Sequence, residues 1–173
     1  MSLFLFPPLF LFFSLFLPSL FPLPFPLSSL CLPLTGMKLQ PMLRLSMKVD
    51  HLAEFKLVAE RSRFHAVLFP AATEDDVLKM VRLKKGEYRK ANHHCWAFRG
   101  KSNERARDDG EVGHPGRVLL ELLRREDLEG GLLVSRIFGG VKLGVGGVSR
   151  AFRDAGEGAI AEFKRTQANL SNK

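Results

Sequence analysis

The chain carries only two cysteines in 173 residues, Cys31 and Cys95. Two thiols cannot build a disulfide framework, and this sparing use points to a reducing, cytoplasmic compartment. Charge is missing altogether from Met1 to Gly36, where the composition is twelve Leu, eight Phe, seven Pro and five Ser with a few other residues. A secretory signal needs a positive n-region and a small-residue cleavage site, yet the first cation is Lys38 and no A-x-A-like site precedes it. A membrane helix needs about twenty apolar residues without breakers, and the prolines leave only Leu9 to Leu17 uninterrupted. These absences favour an upstream extension of a reading frame whose true start is Met37, Met42 or Met47. A membrane-targeting anchor is the alternative if the leader is translated.

All 26 basic and 18 acidic residues follow Gly36, and the net charge is +8. About a third of the body is therefore charged, above the usual quarter of soluble chains. A body of roughly 120 residues buries about two thirds of its unfolded surface and can fold without disulfide or metal. The expected organisation is a leader at 1–36, a linker at 37–52, a domain at 53–165 and a frayed polar tail at 166–173.

Within the body, Glu54 to Ala59 and Phe64 to Phe69 read as strands of a hairpin around Glu60-Arg61-Ser62-Arg63. Thr73 followed by Glu74, Asp75 and Asp76 marks a helix start, with a capping hydroxyl and carboxylates at the positive end of the dipole. Val77, Met80, Val81 and Leu83 form its expected buried stripe, and Lys84, Lys85 and Gly86 its end. His94 to Arg99 reads as a strand and Gly100 to Gly110 as a loop. Arg117 to Arg125 has helical spacing, and Leu132 to Phe138 has the continuous apolar run of a buried strand. After the glycine-rich stretch from Gly139 to Gly147, the residues Val148, Ala151, Phe152, Ala155, Ala159, Ile160 and Phe163 fall on one helical face. This order predicts an α+β domain, a two-layer sandwich with helices on one face of a mixed sheet.

Four patterns occur in one order over most of the body: Ser62-Arg63-Phe64; Ala91 through Arg99, reading ANHHCWAFR; Asp108-Asp109-Gly110-Glu111; and Ser135 through Phe152, reading SRIFGGVKLGVGGVSRAF. Together they resemble the IMPACT/YigZ family, whose members carry an early K-S-x-F strand, an A-T-H-x-C-x-A-Y-R strand, a D-D-G-E turn and a T-R-Y-F-G-G-x-K-L-G-x-G-G segment. Val112 to Gly116 departs from the family's P-x-G-T-A-G, with Arg117 resembling the eukaryotic branch and the glycine stretch the bacterial one. The resemblance implies the fold of the second domain of ribosomal small-subunit protein five. It also implies a non-enzymatic regulator of translation initiation under amino-acid starvation that works by contact with a translation-control protein. Neither companion module of the family, the N-terminal one of the eukaryotic branch or the C-terminal ferredoxin-like one, is expected in this chain.

The candidate binding surface is Asp108, Asp109, Glu111, Arg136, Gly139, Gly140, Lys142, Gly144, Gly146, Gly147 and Arg150. Three carboxylates around Gly110 could hold a hard cation or act on a proton, but the favoured reading is a tight turn whose aspartates bond their own backbone amides. The glycine stretch suits anion binding by free amides, or close packing alone, and it is no Walker loop, since Lys142 lies inside it. His93, His94 and Cys95 alternate along a strand and cannot share one zinc site, so neither metal nor other cofactor is expected. Ten basic residues against two acidic ones between Lys79 and Arg107 suggest an alternative, an RNA- or ribosome-binding face. Its candidates are Lys84, Lys85, Arg89, Lys90, Arg99, Lys101, Arg105 and Arg107.

Overall fold

The computed structural model describes residues 46–171. The leader at 1–36 and most of the expected linker lie outside the described residues. The first of the longer strands, β2 (Ala53–Ala59), pairs antiparallel with β3 (Ser62–Phe69) in a register that joins Ala59 directly to Ser62. The connection is thus two residues, Glu60 and Arg61, with φ of 44° and 65°. Positive φ at both positions matches the right-handed twist of the strands it joins.

β6 (Leu128–Ile137) is the middle of the sheet, antiparallel to β3 on one side and to β4 (His93–Arg99) on the other. β5 (Glu104–Arg107) adds to β4, giving the order β2-β3-β6-β4-β5, while β1 (Met47–Lys48) pairs parallel with Leu128 and Glu129. Successive side chains of a strand point to opposite faces, so a strand covered on both faces reads as an unbroken apolar run. Leu132, Leu133 and Val134 are all fully buried for this reason.

The two faces have different covers. α2 (Pro115–Arg125) and α3 (Gly144–Ser171) pack with Phe64, Ala66, Leu68, Cys95, Ala97, Leu132 and Val134. α1 (Glu74–Glu87) sets Val77 and Val81 against Val67, Phe69, Trp96, Phe98 and Leu133, the alternate residues of the same strands. The α+β class is therefore as expected, and the sheet is mixed through the single β1–β6 pair. The difference is α1, which covers the face opposite the other two helices.

Local differences have local causes. Thr73 caps α1 as read, forming a capping box with Asp76. Inside the helix, however, the buried positions are Val77, Val81 and Lys84, spaced by four and three, while Leu83 falls off that face and is 62% exposed. The helix passes through Gly86 to Glu87. β5 arises in the stretch read as loop: its Glu104-Arg105-Ala106-Arg107 has no apolar alternation, and the pairing with Trp96 to Arg99 supplies the strand instead. Met47 and Lys48 form β1 and Val49 is fully buried, so the end of the expected linker belongs to the domain. At the other end α3 continues to Ser171, past the point where the polar composition suggested fraying. Among the described residues no helix is long and apolar enough to cross a membrane.

The hairpin turn and the end of β6 are in backbone contact. Gly139 N–H donates to Ser62 Oγ at 3.3 Å, and a Cβ at position 139 would stand 2.0 Å from the Arg61 carbonyl oxygen. Backbone cannot yield as a flexible side chain does. Gly139→Ala is expected to destabilise the domain by about 2–3 kcal/mol, at the upper end of the overpacking range, read as a lower urea midpoint at unchanged m-value. An unaltered midpoint would show that the turn moves aside freely.

Candidate binding pocket

Three segments meet at the end of the sheet. Asn92 and His93 open β4, Arg136 sits near the end of β6, and the turn from Asp108 to Val112 leads from β5 toward α2. Asn92 fastens the first two, donating its N–H to the Arg136 carbonyl at 2.8 Å and accepting the Phe138 N–H on its side-chain oxygen at 3.0 Å. Ser149 of α3 fastens the third, its hydroxyl donating to the Gly113 carbonyl at 2.8 Å.

The acidic turn does not gather its carboxylates. Asp108 accepts the Gly116 N–H at 2.7 Å, satisfying an amide in the first turn of α2 where His114, in left-handed conformation, provides no side-chain cap. Asp109 accepts the His94 N–H at 2.9 Å, beyond the last residue that β5 pairs. Glu111 turns inward to Arg136, Oε2 to Nη1 at 2.6 Å, with side chains only 5% and 7% exposed. Among the described residues no group of three or more His, Cys, Asp or Glu is placed to hold a metal. The aspartates thus bond backbone amides, but those of α2 and β4 and not of their own turn, and Glu111 alone pairs with the buried guanidinium.

Arg136 is the centre of that site. Its guanidinium lies 5.7 Å from the Phe64 ring and 5.5 Å from the Phe138 ring, contacts that hold its plane. Nε is buried and has no hydrogen-bond partner among the described residues. Beside it opens a pocket of about 390 Å³, with Arg136 and Lys142 as its cations, Asn92 and His93 as its polar edge, and apolar walls that include Val112, Leu143, Val145 and Val148. Gly144, with φ of 72°, begins α3 at the rim.

The expected surface is therefore brought together in part. Arg136, Lys142 and Gly144 line the pocket, and Glu111 backs it. Gly139 is packed against the hairpin turn, whereas Gly140 is exposed. Gly146 and Gly147 lie in the first turn of α3, so the second half of the supposed loop is helix. Arg150 lines a different hollow, with Glu60 and Asp154. Reading residue types missed Asn92 and the apolar walls Val112, Phe138, Val145 and Val148, because an apolar residue carries no chemical signal until its neighbours are known.

Two of the proposed RNA contacts are consumed inside the fold. Lys84 is 4% exposed, donating to Glu54 at 2.6 Å and Glu87 at 2.7 Å. Burial opposes its charge, but the two carboxylates outweigh burial and raise its pKa above the ordinary lysine value. Arg99 bonds Asp127 at 2.9 Å and the Leu123 and Leu128 carbonyls. Arg105 lies 3.6 Å from Glu74 and Lys85 3.8 Å from Asp109, leaving Arg89, Lys90, Lys101 and Arg107 exposed with no carboxylate at ion-pair distance among the described residues.

The histidines and cysteine of β4 divide as alternation requires. His93 Nδ1 is 2.9 Å from the Asp109 carbonyl and Cys95 donates to the Asp108 carbonyl, while His94 Nδ1 meets Ser135 Oγ at 2.8 Å on the opposite face. Burial pushes the Cys95 thiol well up, with the nearby carboxylates adding to the effect. A thiol so held is an unreactive core group.

Fold and site together define a small α+β domain with a cation-floored, apolar-walled pocket. The model of the Impact N-terminal domain matches residues 60–160, more than half of the chain, and the chain belongs to that family. A Thermus thermophilus protein described as an IMPACT family member in the pol 5′ region is 40% identical over 96 residues, 55% of this chain and 52% of that protein. The IMPACT family member YvyE of Bacillus subtilis is 36% identical over 109 residues, 60% of this chain and 50% of its own length. The chain spans about half the length of the curated relatives it matches. A crystal structure of a protein described only as hypothetical superposes with a TM-score of 0.63 at 24% identity, over 65% of this chain and 58% of that one. It is a likeness of fold.

Proposed function

We propose that this domain is a regulatory binding module of translation control, acting by protein contact at the pocket and without a reaction of its own. The family membership supports the regulatory role, and one observation carries the contact reading: the acidic turn, the end of β6 and the start of α3 converge on a single open pocket around Arg136. A buried arginine ringed by apolar side chains is the composition of a protein-binding hot spot. The family resemblance directs the partner to the translation machinery and the setting to amino-acid starvation.

The test is to express the full-length chain in starved cells and measure phosphorylation of the initiation factor, with co-precipitation of translation components. The expected result is a changed phosphorylation level that Val145→Asp, at an exposed position on the pocket wall, abolishes without loss of folded protein. An unchanged level with the wild-type chain overturns the reading.

A further inference from the structure

We infer that the pocket receives an acidic side chain, an aspartate or glutamate carried between apolar residues in an extended segment of the partner. This rests on the reading that the domain works by protein contact. Charge is the first argument: the pocket lining includes the cations Arg136 and Lys142 and no carboxylate. Glu111 occupies one edge of the guanidinium through Nη1, and it stands behind the lining instead of in it. A guanidinium has five N–H donors in a planar fork suited to a carboxylate. Arg136 is 94% buried and lines the pocket, and with Nε also unpartnered among the described residues Glu111 leaves its guanidinium unsaturated.

The backbone points the same way. α3 has no acidic side chain in its first turn, and the first amides of any helix lack intrahelical acceptors. A Cβ at Gly144 or at Gly146 would meet nothing within 4 Å, so open space lies over this turn. An anion seated on Arg136 therefore has Lys142 and the positive end of a 28-residue helix beside it.

The walls decide what carries the anion. Val112 is 53% exposed, Phe138 43% and Val145 60%, whereas Val148 deeper in is 2% exposed. Exposed apolar residues around a cationic floor shield it from water once a partner lies across them. A nucleic-acid backbone instead calls for a row of exposed cations, and here Lys142 is the exposed cation of the lining.

Panning a displayed library of random peptides of about twelve residues against the immobilised full-length chain tests this directly, since such a segment spans the pocket when extended. Enriched peptides are expected to share an Asp or Glu flanked by apolar residues. Their Gln or Asn counterparts, and the Lys142→Glu chain with the original peptide, should each bind about tenfold more weakly or worse. Amide shifts on peptide addition should fall on Arg136 and on Lys142 to Val148. Selection of peptides without an acid, indifference to Lys142→Glu, shifts confined to the α1 face, or no binders at all would each overturn the inference. If those negatives accompany an intact effect on initiation-factor phosphorylation, the regulatory reading stands alone. Acidic peptides that bind as described by a chain without that effect leave the pocket chemistry standing and sink the function.

Discussion

Replacing Phe152 with alanine is expected to cost about 3–5 kcal/mol, a large part of the roughly 5–15 kcal/mol that holds a domain of this size. Phe152 is fully buried on the face of α3 that meets β3, and its ring stands edge-on to Phe64, with centroids 5.3 Å apart at 81°. The loss therefore combines the transfer of a phenyl group, a cavity that neighbours fill only partly, and an aromatic pair worth about 0.5–1.5 kcal/mol. Phe138→Ala is the matched control, since this ring is 43% exposed and its removal, which gives up one cation–π contact with Arg136, should alter stability by no more than about 1 kcal/mol. Urea unfolding followed by near-ultraviolet circular dichroism would compare the two. Equal midpoints would show that α3 does not organise the core.

That α3 carries such residues is legible in the sequence alone, because the 3.6-residue period reports burial wherever one long helix faces one sheet. Val148, Ala151, Phe152, Ala155, Ala159, Ile160 and Phe163 are all buried as the period requires. The same logic failed at Leu83 because α1 is shorter and its last turn lies near the edge of the sheet. There Glu54 and Glu87 draw Lys84 inward, and hydrogen bonds replace apolar contact. The side of the sheet on which α1 packs is a property of the whole chain's path, and no local pattern encodes it. β5 depends likewise on a partner strand. In the site, charged residues named themselves, yet their partners did not: Asp108 and Asp109 look as functional in one dimension as Glu111 does. What separates them is that amides of α2 and β4 take the aspartates and leave Glu111 to Arg136.

The Glu111–Arg136 pair is the second place where a large effect is expected, and there stability and binding should part company. Arg136→Met would leave the Glu111 carboxylate buried without its guanidinium, and Glu111→Leu would strand the cation. Each single change is expected to cost about 3–5 kcal/mol, the penalty of an uncompensated buried charge. The double variant removes both charges and fills similar volume with apolar groups, an exchange that is often neutral or stabilising in other proteins. Its stability should return to within about 1 kcal/mol of wild type, a strongly non-additive cycle. Thermal unfolding of the four proteins at one pH measures this, and additive losses would mean that the two side chains are not coupled. The refolded double variant should still fail to bind the acidic peptides, because the floor of the pocket no longer carries a cation. Retained peptide binding would relocate the anion site to Lys142 and the start of α3. On this account the pair is kept for the guanidinium it positions, since a buried ion pair adds little to stability over an apolar replacement.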